Sequence, residues 1–501
     1  MEIWTEPAAR ATTASKLHVF IVIIIIALAF LSVAAVNRLP VLFPDTLGYS
    51  SAGEAVLGVL GGHERRARHG APTTTAAATT TTGTATTTTA AATVDAGVSA
   101  ARSPYYGVFL AVLDRGGSVW LTAAAQAVVA ATALVLALGR LRLTRTGAVA
   151  AGSVAAAAGL AFYACVLVPD VMLGPVILGL AFVLTVRDLP RGELAFWLAA
   201  VLAGVLFHRA FLAVAIVVVI AAACAWRTRW LVRRGWAAAA GLCVVAIVAH
   251  AAVGTVVEAA YGARMASQPF LLARMIEGRV VPAYLAEACP AKRYFLCRWQ
   301  GRLPMDHDRF LWDTSGGGVF NTMTVGDKQR LNEEANAIVA GAVAARPVAA
   351  LAEAIDYSVR SFLLAGMNDF AQRVPTRWRV DPPLAPAMAA YPRSGIVAGD
   401  FPLRALSAVT ERIYLAALIA VAAAAALLAL PGAPGRQRGA IDPRLVAAVA
   451  IIVGGIAVNA AVSGTLSGVR DRYTGRIAWL APLAAAALIE QIRATARRRT
   501  P

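Results

Sequence analysis

The feature that most constrains this chain is a recurring apolar stretch of about twenty residues, bounded each time by short basic clusters. A helix of that length spans a hydrocarbon core of roughly 30 Å. Inside a bilayer the backbone polar groups must be satisfied within the segment, so such a span is an α-helix. Hydrophobic residues make up 59% of the chain and charged residues 15%, a balance that a chain soluble over its whole length would not tolerate. The sequence therefore predicts an all-α, polytopic membrane protein.

The apolar stretches predict about ten transmembrane helices. The first run, Leu17 to Val36, is long for a signal peptide, and no convincing small-residue cleavage pattern follows it, so we interpret it as an uncleaved first helix. The predicted spans cover residues 17–37, 118–139, 147–167, 171–186, 194–207, 210–226, 235–257, 410–430, 445–465 and 477–491.

Connections rich in arginine alternate with connections that lack it, and the positive-inside rule places the arginine-bearing loops and both termini in the cytoplasm. We expect a multi-pass protein of the bacterial inner membrane. Much of the net charge of +18 is explained by arginines beside an anionic leaflet, so it implies no nucleic-acid partner. The arginines concerned are Arg140, Arg142, Arg145, Arg187, Arg191, Arg227, Arg229, Arg233, Arg234, Arg436, Arg438, Arg444, Arg493, Arg497, Arg498 and Arg499.

Two long segments interrupt the short loops, and both are predicted on the outer side. The first, 38–117, contains two short helical patterns that we expect to lie in the membrane interface. Between them a Thr/Ala tract, Thr73 to Thr93, has almost no large apolar residues and predicts a disordered insertion over about 61–101.

The second long segment, 259–407, has the composition of a soluble protein and predicts a small, mainly helical extracytoplasmic domain. Helices are expected over 328–345 and 347–366, and an irregular, Pro-rich part over 373–401. The chain is thus divided into a membrane module (1–258), the outer domain (259–407) and a C-terminal membrane module (408–501). Cys289 and Cys297 fall in the outer domain, where an oxidising compartment permits a disulfide, whereas Cys165, Cys224 and Cys243 fall in spans.

Three short motifs carry a resemblance to a known family. Asp45 follows the first span in a loop that later contains Pro104-Tyr-Tyr-Gly-Val-Phe-Leu110; Pro169-Asp170 lies between the third and fourth spans; and Arg470-Asp-Arg-Tyr473 precedes the last. Together they resemble the GT-C superfamily of integral-membrane glycosyltransferases, which includes the lipid A aminoarabinose transferase and mannosyl- and arabinosyltransferases. The chain departs from the family pattern in its Thr/Ala insertion, in a single acid at Asp45, and in Thr474-Gly-Arg476, where prolines are commoner.

The resemblance implies an inverting enzyme that transfers a sugar from a polyprenyl-phosphate donor to a lipid, glycan or protein acceptor at the outer membrane face. It assigns no cofactor and no metal ligand, although it leaves a divalent metal open. Such transfer needs a base for the acceptor hydroxyl and cations for the developing phosphate charge.

The resemblance and the predicted topology together select the candidate catalytic residues. Asp45 is the candidate base, because a carboxylate at the membrane boundary is partly desolvated; the alternative is that it caps the following helix. Asp170 is a candidate second acid, or an N-cap for the helix after it.

The candidate substrate-binding residues are polar groups at the same predicted membrane face. His208 and Arg209 lie between two spans, where ionisable groups usually have a function, unless they extend to the interface. Arg470, Arg472 and Arg476 violate the positive-inside trend and suit a lipid phosphate; pairing with Asp471 or with headgroups is the alternative. Three tyrosines are candidates for stacking on a sugar, although interfacial tyrosines are common: Tyr49, Tyr106 and Tyr473.

Other functions remain as alternatives. An O-antigen ligase or polymerase type shares the late outer loop, and His307 before Gly318 and Arg360 before Leu364 match its spacings in reversed order. A lipid or glycan transporter needs polar groups near the bilayer midplane, whereas these spans are almost purely aliphatic. A non-catalytic scaffold is a further alternative. Phosphate-binding loops, dinucleotide fingerprints, His-Glu-x-x-His and Cys-x-x-Cys are absent from the sequence, which disfavours an ATP-driven pump and a soluble nucleotide-sugar transferase.

Overall fold

The computed structural model describes residues 13–60, 102–116, 118–225, 230–261, 268–313, 317–374, 384–429 and 442–497. This part of the chain is helical, with an isolated bridge between Val41 and Val166 in place of any sheet, which confirms the all-α class. The predicted Thr/Ala insertion at 61–101 lies outside the described residues.

The first half of the chain forms the larger part of the helical bundle. Its helices are α1 (Thr13–Val36), α2 (Pro44–Leu60), α3 (Pro104–Leu113), α4 (Trp120–Arg140), α5 (Arg145–Ala155), α6 (Ala161–Ala164), α7 (Leu173–Thr185), α8 (Arg191–Phe207), α9 (Arg209–Cys224) and α10 (Arg233–Tyr261).

The second half contains the outer segment and the last helices of the bundle. Its helices are α11 (Phe270–Glu277), α12 (Val280–Lys292), α13 (His307–Trp312), α14 (Val325–Ala345), α15 (Pro347–Leu363), α16 (Ala385–Ala390), α17 (Gly395–Ala398), α18 (Leu403–Ala429), α19 (Pro443–Leu466), α20 (Asp471–Gly475) and α21 (Leu480–Arg497).

Six segments in the described ranges are long and apolar enough to span a bilayer: α1, α4, α5 continued by α6, α10, α18 and α19. The bent pair of α14 and α15 raises that number to seven if it is one broken span. The other four predicted spans correspond to α7, α8, α9 and α21. A 16-residue helix such as α9 is about 24 Å long, which is less than the roughly 30 Å of a hydrocarbon core. The chain is therefore a helical, multi-pass membrane protein, and the number ten stays a prediction.

Helix α7 lies at the centre of the bundle. Every residue from Leu173 to Thr185 is buried, and the helix packs against α4, α8, α9, α10 and α19. Its sequence is apolar on all sides, as expected for a helix surrounded by other helices. The 3₁₀ turn that precedes it, Pro169–Met172, is held in the same core.

A π turn, Ala156–Leu160, joins α5 to α6 and bends this span. The bend requires Gly159, whose φ of +98° is a conformation that side-chain-bearing residues rarely adopt. The bend places Tyr163 of α6 at the end of the bundle that contacts the outer segment, where its hydroxyl donates to the carbonyl of Gly366 at 2.6 Å.

The outer segment contributes to three separate cores, one of which joins Val374, Leu384 and Tyr391 to the first loop. Buried residues between Leu272 and Ala342 form a core of their own, in which Cys289 and Cys297 are joined by a disulfide at its edge. Met367, Phe370 and Phe401 pack instead into the core of the membrane bundle. The part of the outer segment after α15 therefore packs directly on the helices of the membrane bundle.

Candidate functional site

Charged side chains from six separate stretches of the chain meet where the first loop, the outer segment and the end of the bundle come together. Each arginine of the group lies beside at least one aspartate. The group consists of Arg102, Arg470, Arg472, Arg476, Asp45, Asp170, Asp308 and Asp369.

Asp45 lies in the first turn of α2, where Pro44 fixes the backbone entering the helix. Its carboxylate forms an ion pair with Arg102 and lies 3.4 Å from a terminal nitrogen of Arg472. Burial raises the pKa of Asp45, but the charges of Arg102 and Arg472 outweigh it and hold the pKa below its ordinary value. Asp45 is therefore an ionised carboxylate held by two cations.

Arg472 lies in α20 and connects two carboxylates. Its terminal nitrogens face Asp45, and its Nε lies 3.0 Å from an oxygen of Asp369. The guanidinium lies over the ring of Phe43 at 4.3 Å and over the ring of Tyr473 at 4.8 Å. It also donates to the Tyr473 hydroxyl at 3.2 Å. These contacts hold the guanidinium plane in one orientation.

Asp369 belongs to the site although the sequence reasoning did not select it. It lies in the 3₁₀ turn Asn368–Ala371, just after α15. The Asp471 carboxylate accepts from the Asn368 N–H at 2.7 Å and from the Asp369 N–H at 3.3 Å, and so fixes this turn. Burial raises the pKa of Asp369 to about 6 although Arg472 opposes the change. The available sequence signal is an acid set among apolar residues directly after a predicted helix.

Arg476 and Asp170 form a deeper pair. Arg476 is 1% exposed and Asp170 is 4% exposed, and their nearest atoms are 2.9 Å apart. Arg476 also donates to the Asn459 side-chain oxygen at 2.8 Å and lies over the Phe211 ring at 4.9 Å. The Asp170 side chain caps neither its own turn nor α7, so the structure places it toward Arg476 instead. A buried pair of this kind gains stability when its remaining polar atoms are satisfied. Asn459 satisfies one terminal nitrogen of Arg476, whereas the second carboxylate oxygen of Asp170 and the Nε of Arg476 have no hydrogen-bond partner among the described residues.

Arg470 lies nearer to solvent than the other arginines of α20 and its flanks. It pairs with Asp308 of α13 and lies 3.7 Å from Asp369. The ion pair between Arg470 and Asp308 thus connects the bundle to the core formed between Leu272 and Ala342, which we call the outer core. The expected alternative, a pairing of these arginines with Asp471, differs from the observed arrangement, because Asp471 holds backbone N–H groups.

His208 occupies the break between α8 and α9. Its Nδ1 accepts from the Ala210 N–H at 3.1 Å, and its ring stacks on Phe211 with 4.6 Å between centroids. Burial lowers the pKa of His208 well below its ordinary value, and nearby Arg476 and Arg102 lower it further. The ring is therefore neutral, and because Nδ1 accepts, its proton is on Nε2. Arg209, the next residue, is exposed.

The three tyrosines have different surroundings. Tyr473 lies between Arg472 and Arg476, with its ring 5.3 Å from the second guanidinium. Tyr49 is buried beside Arg102 and packs edge-on against Tyr106 at 5.0 Å. The hydroxyl of Tyr106 donates to the side-chain oxygen of Gln126 at 2.8 Å, inside the core. Of the three, Tyr473 contacts two arginines of the charged group and Tyr49 contacts one.

Arg102 is the second site residue that sequence reasoning missed. It immediately precedes Ser103, which caps α3 by accepting from the Tyr105 N–H at 3.3 Å. The predicted insertion ends at residue 101, so Arg102 lies at its border. The sequence signal for Arg102 is a basic residue on a loop that is predicted to be on the outer side, the same violation of the positive-inside trend that identifies Arg472.

One group in the described ranges has the composition of a metal site: ligand atoms of Glu277, Asp306 and His307 lie within 4.8 Å of one another. All three residues already have other partners. Asp306 caps α13 by accepting from two backbone N–H groups, and Glu277 lies 2.6 Å from Arg274 and accepts from the His307 N–H. These contacts give the group a structural role, and no metal is assigned to it.

Comparison with protein-family models, with curated proteins and with solved structures gives no match to this chain. The fold and the site define a class on their own: an all-helical, multi-pass membrane protein with a partly buried arginine–aspartate group at one end of its bundle.

Proposed function

We propose that this protein transfers a sugar from a polyprenyl-phosphate donor to a hydroxyl of a lipid, glycan or protein acceptor at the outer face of the bacterial inner membrane. The observation that carries the proposal is the placement of Asp45 between Arg102 and Arg472 at the end of the helical bundle. A base and two phosphate-binding cations are thereby within a few ångströms of one another.

The arginines suit a phosphate in both charge and shape. A guanidinium binds a phosphate with two parallel hydrogen bonds, and Arg472 is already oriented by Phe43 and Tyr473. A neutral His208 with its proton on Nε2 adds a donor that carries no charge. Burial strengthens each of these interactions, because the local dielectric is lower than that of water.

Asp45 gains basicity when the donor binds. In the unliganded site Arg102 and Arg472 hold its pKa below the ordinary value. A donor phosphate competes for the same two guanidinium groups, and each hydrogen bond that moves from the carboxylate to the phosphate raises the pKa of Asp45. The base is therefore activated by the substrate.

The proposed step is a single displacement. The oxygen of the acceptor hydroxyl forms a bond to the anomeric carbon of the sugar, and the bond from that carbon to the phosphate oxygen breaks. The electron pair of the broken bond remains on the lipid phosphate, next to Arg472. The hydroxyl proton goes to Asp45. Attack from the face opposite to the leaving phosphate inverts the anomeric configuration.

The ligase alternative is less well supported by the surroundings of its candidate residues. His307 is buried and lies 3.5 Å from Glu277 and 3.2 Å from Asp308, while Arg360 is exposed and pairs with Asp356 one turn earlier.

Substitution of Asp45 tests the proposal. Asp45→Asn keeps the size and most of the hydrogen-bonding capacity but removes the base, so we expect transfer to fall by roughly a hundredfold or more with normal membrane insertion. The assay follows sugar transfer from a set of polyprenyl-phosphate sugars in proteoliposomes. Asp400→Asn is the matched control, since Asp400 is an exposed acid that pairs with Arg38. Wild-type transfer by the Asp45→Asn protein would reduce Asp45 to a structural partner of Arg102.

A further inference from the structure

Helix α15 carries a continuous apolar stripe on its exposed side. The positions recur every three or four residues and therefore lie on one helix face. Exposure of the side chains along this face is 80% at Val348, 62% at Leu351, 55% at Ile355, 51% at Val359 and 48% at Leu363. A helix of a water-soluble domain would turn such a face inward.

The opposite side of α15 packs along α19, one of the helices long enough to span the membrane. The approach is close at Gly464, where an added Cβ would come within 2.6 Å of the Tyr357 carbonyl oxygen. Beside this contact the two helices border an apolar groove of about 440 Å³. Ile355 and Val359 line it from α15, and Val462 and Leu466 line it from α19.

The C-terminal end of α15 is hydrogen-bonded to a second spanning helix, α18. Tyr414 of α18 donates through its hydroxyl to the Phe362 carbonyl at 2.8 Å. Tyr414 lies eleven residues after Leu403, the first residue of α18, or roughly 16 Å along the helix axis. The end of α15 therefore lies at the level where α18 becomes apolar, since Glu411 and Arg412 lie within one turn before Tyr414 and the residues after it are apolar.

Charged residues of α15 are confined to a different face. Asp356 and Arg360 are exposed and form an i, i+4 pair at 2.9 Å. On a helical wheel this pair lies about 100° from the stripe centred on Val348, Ile355 and Val359. One exposed face of α15 therefore suits hydrocarbon and another suits water, as in a helix that lies in a membrane interface.

We propose that α15 is inserted into one leaflet of the bilayer, where lipid acyl chains cover its apolar stripe and fill the groove between α15 and α19. The occupant follows from continuity: the groove joins the stripe to α19, a helix long and apolar enough to span the membrane, whose Leu466 is 37% exposed at the groove. The chain bends by 106° between α14 and α15, which directs α15 away from the outer core and onto the bundle. This proposal is independent of the catalytic one.

Site-directed spin labelling of the full-length protein in lipid nanodiscs tests the insertion. In a background with Cys165, Cys224 and Cys243 changed to alanine, labels are attached to Ile355→Cys and to Asp356→Cys. These adjacent positions face the stripe and the charged side, so they form a matched pair. We expect the ratio of collisions with oxygen to collisions with a water-soluble nickel chelate to be at least about fivefold higher at position 355. Val359→Cys and Arg360→Cys repeat the comparison one turn further along the helix.

Two reference labels calibrate the result. Ile25→Cys lies on the exposed apolar surface of α1 and reports lipid, and Asp400→Cys reports water. Equal access of the nickel chelate to positions 355 and 356 would show an aqueous α15 and overturn the proposal. Shielding of position 355 from both reagents would show a protein partner or a second copy on the stripe, and would overturn it equally.

Discussion

Arg472 is held by shape as much as by charge, since its planar guanidinium lies against Phe43 and Tyr473 while its nitrogens face Asp45 and Asp369. A lysine at this position would keep one positive charge but would lose the planar fork and the second carboxylate. The role of the residue can therefore be separated from the role of its charge.

We expect Arg472→Lys to weaken binding of a polyprenyl-phosphate analogue about tenfold and Arg472→Ala about a hundredfold, or roughly 1.4 and 2.8 kcal/mol. Arg470 holds the outer edge of the same group, so the double change of Arg470 and Arg472 to alanine should have the largest effect. Binding is measured by fluorescence titration in detergent. Arg346→Ala is the control, because Arg346 pairs with Glu287 in the outer segment. Unchanged binding by the double variant contradicts the assignment of both arginines to phosphate.

The raised pKa of Asp369 leads us to expect a specific pH dependence of the free energy of unfolding. Its pKa is about 6 in the folded protein, against about 3.9 in an unfolded chain, so the folded state binds the proton more tightly. The free energy of unfolding should therefore fall as the pH rises from about 4 to about 6, and the loss should be complete above that range. Asp369→Asn should remove this component and flatten the profile.

The measurement is thermal unfolding in detergent between pH 4 and pH 8. The difference between Asp369→Asn and the wild type isolates Asp369, because Asp45, whose pKa lies below its ordinary value, contributes a slope of opposite sign to both proteins. Asp400→Asn should retain the wild-type profile through this range. Identical profiles for all three proteins would exclude a raised pKa at Asp369.

At the scale of elements, the site depends on the close approach of three elements: α6, α20 and the turn that follows α15. Tyr163 donates to the Gly366 carbonyl at 2.6 Å, and the Arg472 carbonyl lies 3.2 Å from the same hydroxyl. Gly475 permits the contact: an added Cβ would come within 2.0 Å of the Gly366 carbonyl oxygen. The Tyr163 hydroxyl and Gly475 thus position the backbone of α20, which carries Arg472.

Gly475→Ala should accordingly destabilise the protein by about 1–3 kcal/mol, the usual cost of forcing an atom into packed backbone. Substrate binding should weaken as well, because Arg472 is displaced with α20. Gly454→Ala is the matched control, since an added Cβ on Gly454 of α19 meets no atom within 4 Å. Thermal unfolding and analogue binding are compared for the two variants. Equal stability of both would show that the turn after α15 moves aside without cost.

The helices were easier to predict than the contacts between them. The expected helices over 328–345 and 347–366 are observed as α14 and α15, since Pro347 and the periodic apolar residues indicate them locally. The site needs information that no local pattern carries. Asp369 meets Arg472 because Tyr163 and Gly475 bring together stretches far apart in the chain, and an acid among apolar residues just after a predicted helix gives no indication of that partner.

At the scale of the whole molecule, composition predicted the all-α membrane class, whereas the number of spans stays a prediction. Long apolar runs indicated helices such as α4 and α19 correctly, because a span needs about twenty apolar residues. The runs at 171–186 and 210–226 are equally apolar, yet they form helices of 13 and 16 residues, and α7 is enclosed by protein on all sides. Hydropathy alone does not distinguish a helix buried in protein from a helix that crosses lipid.

The orientation of the chain is a prediction that reporter fusions can test. The arginine-bearing loops should be cytoplasmic, so fusions after Arg145, Arg229 and Arg438 should be active only with a cytoplasmic reporter. Fusions after His63 and Asp306 should be active only with an exported reporter. Each position is tested with both reporter types, which serves as the internal control. One reversed position would break the topology on which the outer-face site depends.

The pairing of each arginine with an aspartate also bears on how an anion would leave the site. Binding of a phosphate must separate ion pairs such as Arg472 with Asp45, so affinity is lower than the same arginines would give if they were unpaired. In the proposed reaction Asp45 holds the hydroxyl proton when the bond to the sugar breaks, so Asp369 competes first with the spent lipid phosphate for Arg472, and Asp45 competes once it has lost that proton. If the proposed transfer takes place, we expect the carboxylates to favour release of the lipid product.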